Sequence, residues 1–369
     1  MPNRNFAKVL FMSEKKLKTA ILGLNDRGLE LLDAAVETCL YEIAAVADGD
    51  PEIIERVAEK YQCGAFEDYR QLVMQNQVDV LFIAAGQHLR AEHVKSAMKK
   101  KFNILKLIPP GLNFEQAAEL FAIAEKEKVR YTIANTARYS PGFDLLREYL
   151  QSLDPNSVHL ITALCHTPGE SDEKHHRWLN DPQLAGGGVL LRDCYTLIDQ
   201  IILNFGIPQQ VYSLKTSDAP DRQQRLSITE DTAILTMKFS DTLMANLSAS
   251  RTFGPPQCQL RLHSDEGFVT VSADSFIVSD NSGKATKRSN FKSVRAGSIS
   301  RMLEDFALSI DSPDENKFVA HADVDLNNMA VIESAYLSAK TSMPEEPGRI
   351  LEMVGNELTN WTSAAKKIV

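Results

Sequence analysis

At the end of the apolar run Leu17–Leu24 comes "GLNDRG", Gly23 to Gly28. Two glycines at this spacing, between a strand and a helix, suit a dinucleotide: the first permits the tight turn and the last lets helix and strand pack closely. The pattern's middle glycine, which lets pyrophosphate approach the backbone, is replaced by Asn25. Asn adopts positive φ more readily than other non-glycine residues, but its side chain is expected to narrow the space for the phosphates. Asp26 and Arg27 complete the turn. Asp48 ends the second apolar run near the ~20-residue distance at which an acid takes the ribose hydroxyls. Gly49 and Asp50 follow, with no Arg to receive a 2′-phosphate, so NAD is expected over NADP. A competing reading makes Asp48 the cap of the helix that opens at Pro51.

Other reactive side chains gather less convincingly. His166, His175 and His176 share the polar stretch "CHTPGESDEKHHRW", but zinc needs three or four convergent ligands, and no metal is expected. The five cysteines are scattered and odd in number, without a C-x-x-C pair. That usage suits a reducing cytoplasm and gives no disulfide framework. Lys99–Lys101 end a helical stretch, where positive charge complements the dipole.

The elements that must position these residues emerge from periodicity. Apolar strands alternate with helices through "VRYTIAN", and most strands are apolar on both faces, which predicts a parallel sheet covered on both sides. Beyond Pro141 closely spaced strands with hairpin-length links predict a largely antiparallel sheet. The expected fold is α/β: a doubly wound parallel sheet of Rossmann type, then an α/β domain with a large, mostly antiparallel open sheet. The expected division is a flexible tail over 1–14, a nucleotide-binding domain over 15–138, a second α/β domain over 139–345 and a helical tail over 346–369. "AGGGVLLRDCYTLIDQIILNFG" reads as a glycine turn opening one long helix, and Ser279–Asn290 as a mobile loop. Met12 is a candidate alternative start.

A net charge of −9 argues against nucleic-acid and anionic-membrane partners, which require clustered Lys and Arg. No apolar run approaches the ~20 residues that cross a bilayer, and Lys8 with "SEKK" breaks the N-terminal apolar patch, so a cytoplasmic protein is expected.

The order and spacing of the glycine turn, Asp48, "EDYRQLV", "AAGQHLRAEHV", "NTARYSP", "WLNDPQLAGGG" and "ESAYLSAKTSMP" resemble the glucose–fructose oxidoreductase / inositol dehydrogenase / MocA family over roughly Leu17 to Pro344. The resemblance implies a nicotinamide-dependent oxidoreductase of small carbinols. It also implies a Lys from an E-K-P tripeptide after the fifth strand, and an Asp and a His four residues apart after the G-G-G turn. In the register that the resemblance sets, Leu107, Ile108 and Pro109 stand for E-K-P, Arg192 for the Asp and Thr196 for the His; Asp199 keeps the next acidic position. Ala85, Gln87 and His88 occupy the turn that the family places against the cofactor. Arg138, Tyr139, Trp178, Arg192 and Asp193 are the expected lining of a ligand cleft.

Three neighbours are weighed as substitutes. Lys106 shares a strand face with Ile108 but lies about 6–7 Å deeper, whereas Asp193 and Tyr195 are out of phase on a continuous helix. Arg192 offers a fork for an anionic ligand or pairs with Asp193, Asp199 or a surface acid. Whether the chain is an enzyme stays open. The first expectation is an NAD-binding homologue without the usual catalytic groups, acting as a ligand or redox sensor or a non-catalytic subunit. The second is an active NAD(P)-dependent reductase or dehydrogenase of a sugar-like or other small carbonyl, built on non-standard residues. The third is a partner-binding protein without cofactor. A small-molecule ligand and a homodimer or homotetramer, formed through the second domain's sheet, complete the expectations.

Overall fold

The computed structural model describes residues 16–86, 91–168, 177–217, 229–252, 254–311 and 322–355. Of the sequence-based assignments, the N-terminal tail, Gln87, His88, His175, His176, and Leu358 and Trp361 of the terminal stretch lie outside the described residues. The described chain forms two compact units, each built on one sheet.

The first unit carries β1 (Leu17–Leu22), β2 (Tyr41–Ala47), β3 (Gly64–Phe66), β4 (Val80–Ile83), β5 (Asn103–Leu107) and β6 (Tyr131–Ala134). They pair in parallel in the order β3-β2-β1-β4-β5-β6. The order reverses between β1 and β4, where open α/β sheets bind their ligands beyond the strand carboxyl ends. Every residue of β4 and β6 is buried, as their unbroken apolar runs require of strands covered on both faces. The unit is not continuous in sequence. The helix Val294–Asp311 supplies Ile299, Met302, Leu303 and Phe306 to the same apolar core as Ile21, Leu32 and Val46. Tyr41 fastens that helix by donating from its hydroxyl to the Leu303 carbonyl at 2.6 Å. The late helix therefore crosses the contiguous 139–345 division expected from sequence.

The second unit carries β7 (Val158–His166), β8 (Gln210–Thr216), β9 (Thr232–Lys238), β10 (Met244–Ser250), β11 (Gln257–Ser264), β12 (Gly267–Val271), β13 (Ser275–Ser279) and β14 (Ala285–Asn290). Their order is β14-β13-β12-β11-β7-β10-β9-β8; only β7 and β10 run parallel, the other pairs being antiparallel. Val211, Ala233, Leu235, Met237, Ala245 and Leu247 are buried on one face. Leu160, Leu214, Ile234 and Met244 are exposed on the other.

Two expectations from sequence need correction. Ser279–Asn290 is not a loop: β14 pairs antiparallel with β13. The Asp280 carboxylate organises the connecting turn by accepting from the backbone N–H of Ser282 and Lys284. The long helix after the glycines is also broken. Val189–Arg192 ends at Asp193, Cys194 donates its N–H five residues back to the Val189 carbonyl, and a new helix runs over Tyr195–Phe205. A five-residue hydrogen bond slips the phase of the turns beyond it, so face arguments that count straight from Gly188 to Thr196 do not hold.

Candidate functional site

In the first unit the glycine turn closes on itself. Gly23 has φ +95°, and a Cβ there would meet the Ala85 backbone nitrogen at 2.3 Å. A Cβ on Gly28 would meet the Gly23 carbonyl at the same distance. Helix Asp26–Glu37 thus packs against β1 and the β4 exit as only glycine allows. Asn25 does not use the left-handed region that asparagine tolerates: φ is −65° and it is the helix N-cap. Its side chain accepts from Gly28 N–H at 3.0 Å and donates to the Ala84 carbonyl at 2.8 Å. The amide is folded onto the protein and spends one helix donor. First-turn N–H groups such as those of Asp26 and Arg27 have no intrahelical acceptor and suit an anion.

Asp48 belongs to this turn and is not the helix cap. Its carboxylate accepts from Leu24 N–H at 2.6 Å and Asp50 N–H at 3.1 Å; Asp50 caps the helix Pro51–Tyr61, accepting from Glu52 N–H. The structure thereby brings Gly23, Asn25, Asp26, Arg27, Gly28, Asp48 and Ala85 to one end of the parallel sheet. The glycine cradle and the charged side chain beside it fit the adenosine half of a dinucleotide.

At the end of β5, Leu107 and Ile108 are half-buried. Lys106 is 1% exposed, registered between Ile83 of β4 and Ile133 of β6. Its Nζ reaches toward the strand's carboxyl end, 3.4 Å from the Leu107 carbonyl oxygen. Tyr139 lies in the short 3-10 turn Thr136–Tyr139. Its hydroxyl donates to Asp305 at 2.7 Å and its carbonyl accepts from Arg301. Burial and the neighbouring Asp305 charge hold its pKa well above that of an ordinary phenol. This tyrosine ties the helix Val294–Asp311 to its own unit. Arg138 is buried beside it.

In the second unit the residues after Gly186–Gly188 form a charged cluster. Glu230, almost fully buried, accepts from Gly188 N–H at 2.9 Å, Leu190 N–H at 3.0 Å and the Tyr336 hydroxyl at 2.8 Å. A Cβ on Gly188 would meet the Glu230 carbonyl oxygen at 1.9 Å. Burial, then the Glu230 charge, pushes the Tyr336 phenol well up. Asp193 is ion-paired with Arg251. Burial pulls the Arg251 pKa down, but the Asp193 charge and hydrogen bond, with Glu230 behind them, leave it raised.

Tyr195 is fully buried and donates to Asp325 at 2.8 Å. Asp199 accepts from Asn328 at 2.8 Å. The Arg192 guanidinium carbon lies 5.6 Å from the centroid of the Trp178 ring, a cation–π distance, so two of the expected cleft residues do meet. Thr196 is half-buried.

Sequence reasoning missed Glu230, Arg251 and Tyr336, which reach the glycine turn from 42, 58 and 148 positions beyond Gly188 or Asp193 with no spacing pattern to announce them. Among the described residues no group of His, Cys, Asp and Glu is arranged to hold a metal ion, and no helix is long and apolar enough to cross a membrane.

Comparison with known proteins agrees with this architecture. Residues 17–135 match the model of the oxidoreductase family with an NAD-binding Rossmann fold, and residues 143–270 match the GFO/IDH/MocA C-terminal domain. An uncharacterised oxidoreductase of Bacillus subtilis, YrbE, is 21% identical over 72% of this chain and 80% of its own. The D-xylose 1-dehydrogenase (NADP(+)) 2 of Haloferax volcanii is 26% identical over 53% of this chain and 59% of its own length. An Agrobacterium radiobacter oxidoreductase, solved with NAD+, L-tartaric acid and magnesium, superposes with a TM-score of 0.77 at 14% identity. That match covers 91% of this chain and all of the other. The myo-inositol 2-dehydrogenase of Lactobacillus plantarum gives 0.75 at 18% identity, covering 90% and 99%.

Proposed function

The chain belongs to the GFO/IDH/MocA oxidoreductase family with its NAD-binding Rossmann fold, and we propose that it binds NAD without the family's usual proton relay. In this reading it acts in the cytoplasm as a ligand or redox-state sensor, or as a non-catalytic subunit. A nucleotide cofactor follows from the family. The preference for NAD over NADP rests on the Asp48 carboxylate, held against the glycine turn through Leu24 N–H, where its charge would repel a 2′-phosphate.

The observation that carries the inert reading is the engagement of the substitutes. Asp193 is neutralised by Arg251 and the Tyr195 hydroxyl is committed to Asp325, so neither is available to a substrate proton. A general acid or base must come within hydrogen-bond reach of the proton it moves. The aliphatic Ile108 has none to move, nor has Arg192 at neutral pH. Arg192 is instead suited to an anionic ligand group, with Trp178 as a flat neighbour.

One observation favours the second reading, an active reductase of a sugar-like or other small carbonyl. The buried Lys106 amine reaches the carboxyl end of β5, two residues before the position at which the family keeps its Lys. NADH fluorescence titration, followed by turnover with a panel of aldehydes, imines and keto-sugars, separates the readings. Saturable binding without turnover supports the first; turnover supports the second; absence of binding supports a cofactor-free partner protein.

Self-association through the open sheet face is part of the proposal. Leu214 pairs in register with Ile234, and Met244 with Leu160. The two exposed pairs share one face of the sheet, separated along β9 and β10 by Thr236 and Asn246, and exposed apolar side chains gathered on one face are a feature of interaction surfaces. Light scattering is expected to give a dimer or tetramer mass; a monomer at micromolar concentration would count against it.

A further inference from the structure

Three of the five free cysteines converge inside the second unit. Cys165 near the end of β7 stands directly opposite Cys258 on the antiparallel β11. Cys194, the residue at the helix break, completes the group: the Cys165 thiol is in hydrogen-bonding contact with both the Cys194 and Cys258 thiols. Directly opposed residues of antiparallel strands have Cα atoms about 4.5–5.5 Å apart, within the roughly 4.4–6.8 Å that a disulfide spans. The three differ in access: Cys165 and Cys194 are fully buried, whereas Cys258 has exposed surface.

From this arrangement we infer that Cys165 and Cys258 form a reversible intramolecular disulfide site whose oxidant is a low-molecular-weight disulfide such as glutathione disulfide. The exchange proceeds in two steps. The Cys258 thiolate attacks one sulfur of the oxidant, breaking its S–S bond and releasing one glutathione thiolate, so that a mixed disulfide forms. The Cys165 sulfur then attacks the Cys258 sulfur, forming the internal S–S bond and releasing the second glutathione. The two thiol protons pass to the two departing glutathione sulfurs. Two protein thiols are oxidised and one glutathione disulfide is reduced to two glutathiones.

Exposed Cys258 receives the oxidant, and buried Cys165 resolves it because it already touches that sulfur. Cys194 loses a thiol neighbour when the bond forms, which links the thiol state to the Asp193–Tyr195 segment. A hydrogen bond with Cys194 holds the Cys165 thiol up and one with Cys165 holds Cys258 up, burial adding to both, while burial and the Asp193 charge hold Cys194 up against its own hydrogen bond with Cys165. Because exchange requires the thiolate, the reaction is slow, and the equilibrium is the quantity to measure. The disulfide site is independent of whether the chain binds cofactor or turns it over.

The test uses the full-length, folded protein brought to equilibrium in glutathione buffers of graded oxidised-to-reduced ratio. After acid quenching, free thiols are alkylated under denaturing conditions and the peptides are mapped by mass spectrometry. The expected result is a Cys165–Cys258 linked peptide whose fraction rises with the oxidised ratio, with two fewer alkylated thiols and Cys194 still alkylated. In Cys258→Ser, a change at an exposed position, the link is expected to vanish and Cys165 to remain alkylatable. Exposed Cys39 reports that the oxidant acted, by appearing as its glutathione adduct. The inference is overturned if Cys258 accumulates only as its glutathione adduct, if Cys165 stays reduced at every ratio in which Cys39 is modified, or if the link joins Cys165 to Cys194.

Discussion

Glu230 holds the glycine turn of the second unit by accepting three hydrogen bonds on one buried carboxylate, and replacing it should be costly in a graded way. In Glu230→Gln, Oε1 still serves Leu190 N–H and the Tyr336 hydroxyl, while an amide NH2 faces Gly188 N–H in place of the second oxygen. One charge-assisted bond is lost and one buried donor is orphaned, at about 1.5–3 kcal/mol for each such change, or ~3 kcal/mol together after partial relaxation. Glu230→Ala orphans all three donors and should cost more, ~5 kcal/mol, with the terms not strictly additive. At roughly 2–4 °C per kcal/mol for a unit of this size, Glu230→Gln should lower the second unit's thermal midpoint by about 6–12 °C. Urea and thermal denaturation followed by circular dichroism measure the loss, and NADH affinity should stay within about twofold if the cofactor is held by the other unit. A loss below ~1 kcal/mol for both variants, or equal losses, would refute the assignment of Glu230 as the turn's anchor.

Asp48→Asn keeps an acceptor for Leu24 N–H but removes the charge. It should weaken NADH by roughly 10–100-fold, the worth of about one charge-assisted bond, while NADPH is unchanged or tighter; equal shifts for both nucleotides would contradict the NAD preference. Tyr195→Phe removes the hydroxyl that serves Asp325 and accepts weakly from Asn328. It should cost ~1–3 kcal/mol of stability and leave cofactor affinity alone; a variant of full stability but altered nucleotide binding would reverse the assignment. His93 is half-buried edge-on to Tyr69, and burial, then Arg70, holds its pKa below 6.5. The unfolded chain therefore binds more protons in the window just under pH 6.5, so stability should fall as pH drops through it. His93→Gln should flatten that part of the denaturation profile, and an unchanged profile would contradict the assignment.

What was legible in the sequence is what local chemistry fixes. β4 and β6 announce themselves because strands covered on both faces must be apolar throughout, and the Gly23–Gly28 turn because two backbone segments approach too closely for any Cβ. β14 was illegible because five of its six residues are exposed. An edge strand with no buried face carries no alternation, and it is placed by the Asp280 turn. The break at Asp193–Cys194 has neither Gly nor Pro to signal it; Asp193 there is paired with Arg251, 58 residues on. Residue type alone does not tell whether Asn25 narrows the phosphate space or caps the helix; the Ala84 carbonyl and Gly28 N–H give it the capping role. Helix Val294–Asp311 joins the first unit through an apolar face that could equally have served the second.

The decisive question is whether a group able to move a proton serves the bound nicotinamide. NADH fluorescence titration with turnover across a carbonyl panel, run in parallel on the natural protein and on Lys106→Met, tests this most directly. Saturable NADH binding by both proteins, with no oxidation above the rate in buffer, is the predicted result. NADH oxidation by the natural protein that Lys106→Met lowers by ~10²-fold or more, the scale of general acid catalysis, at unchanged NADH affinity, would contradict it.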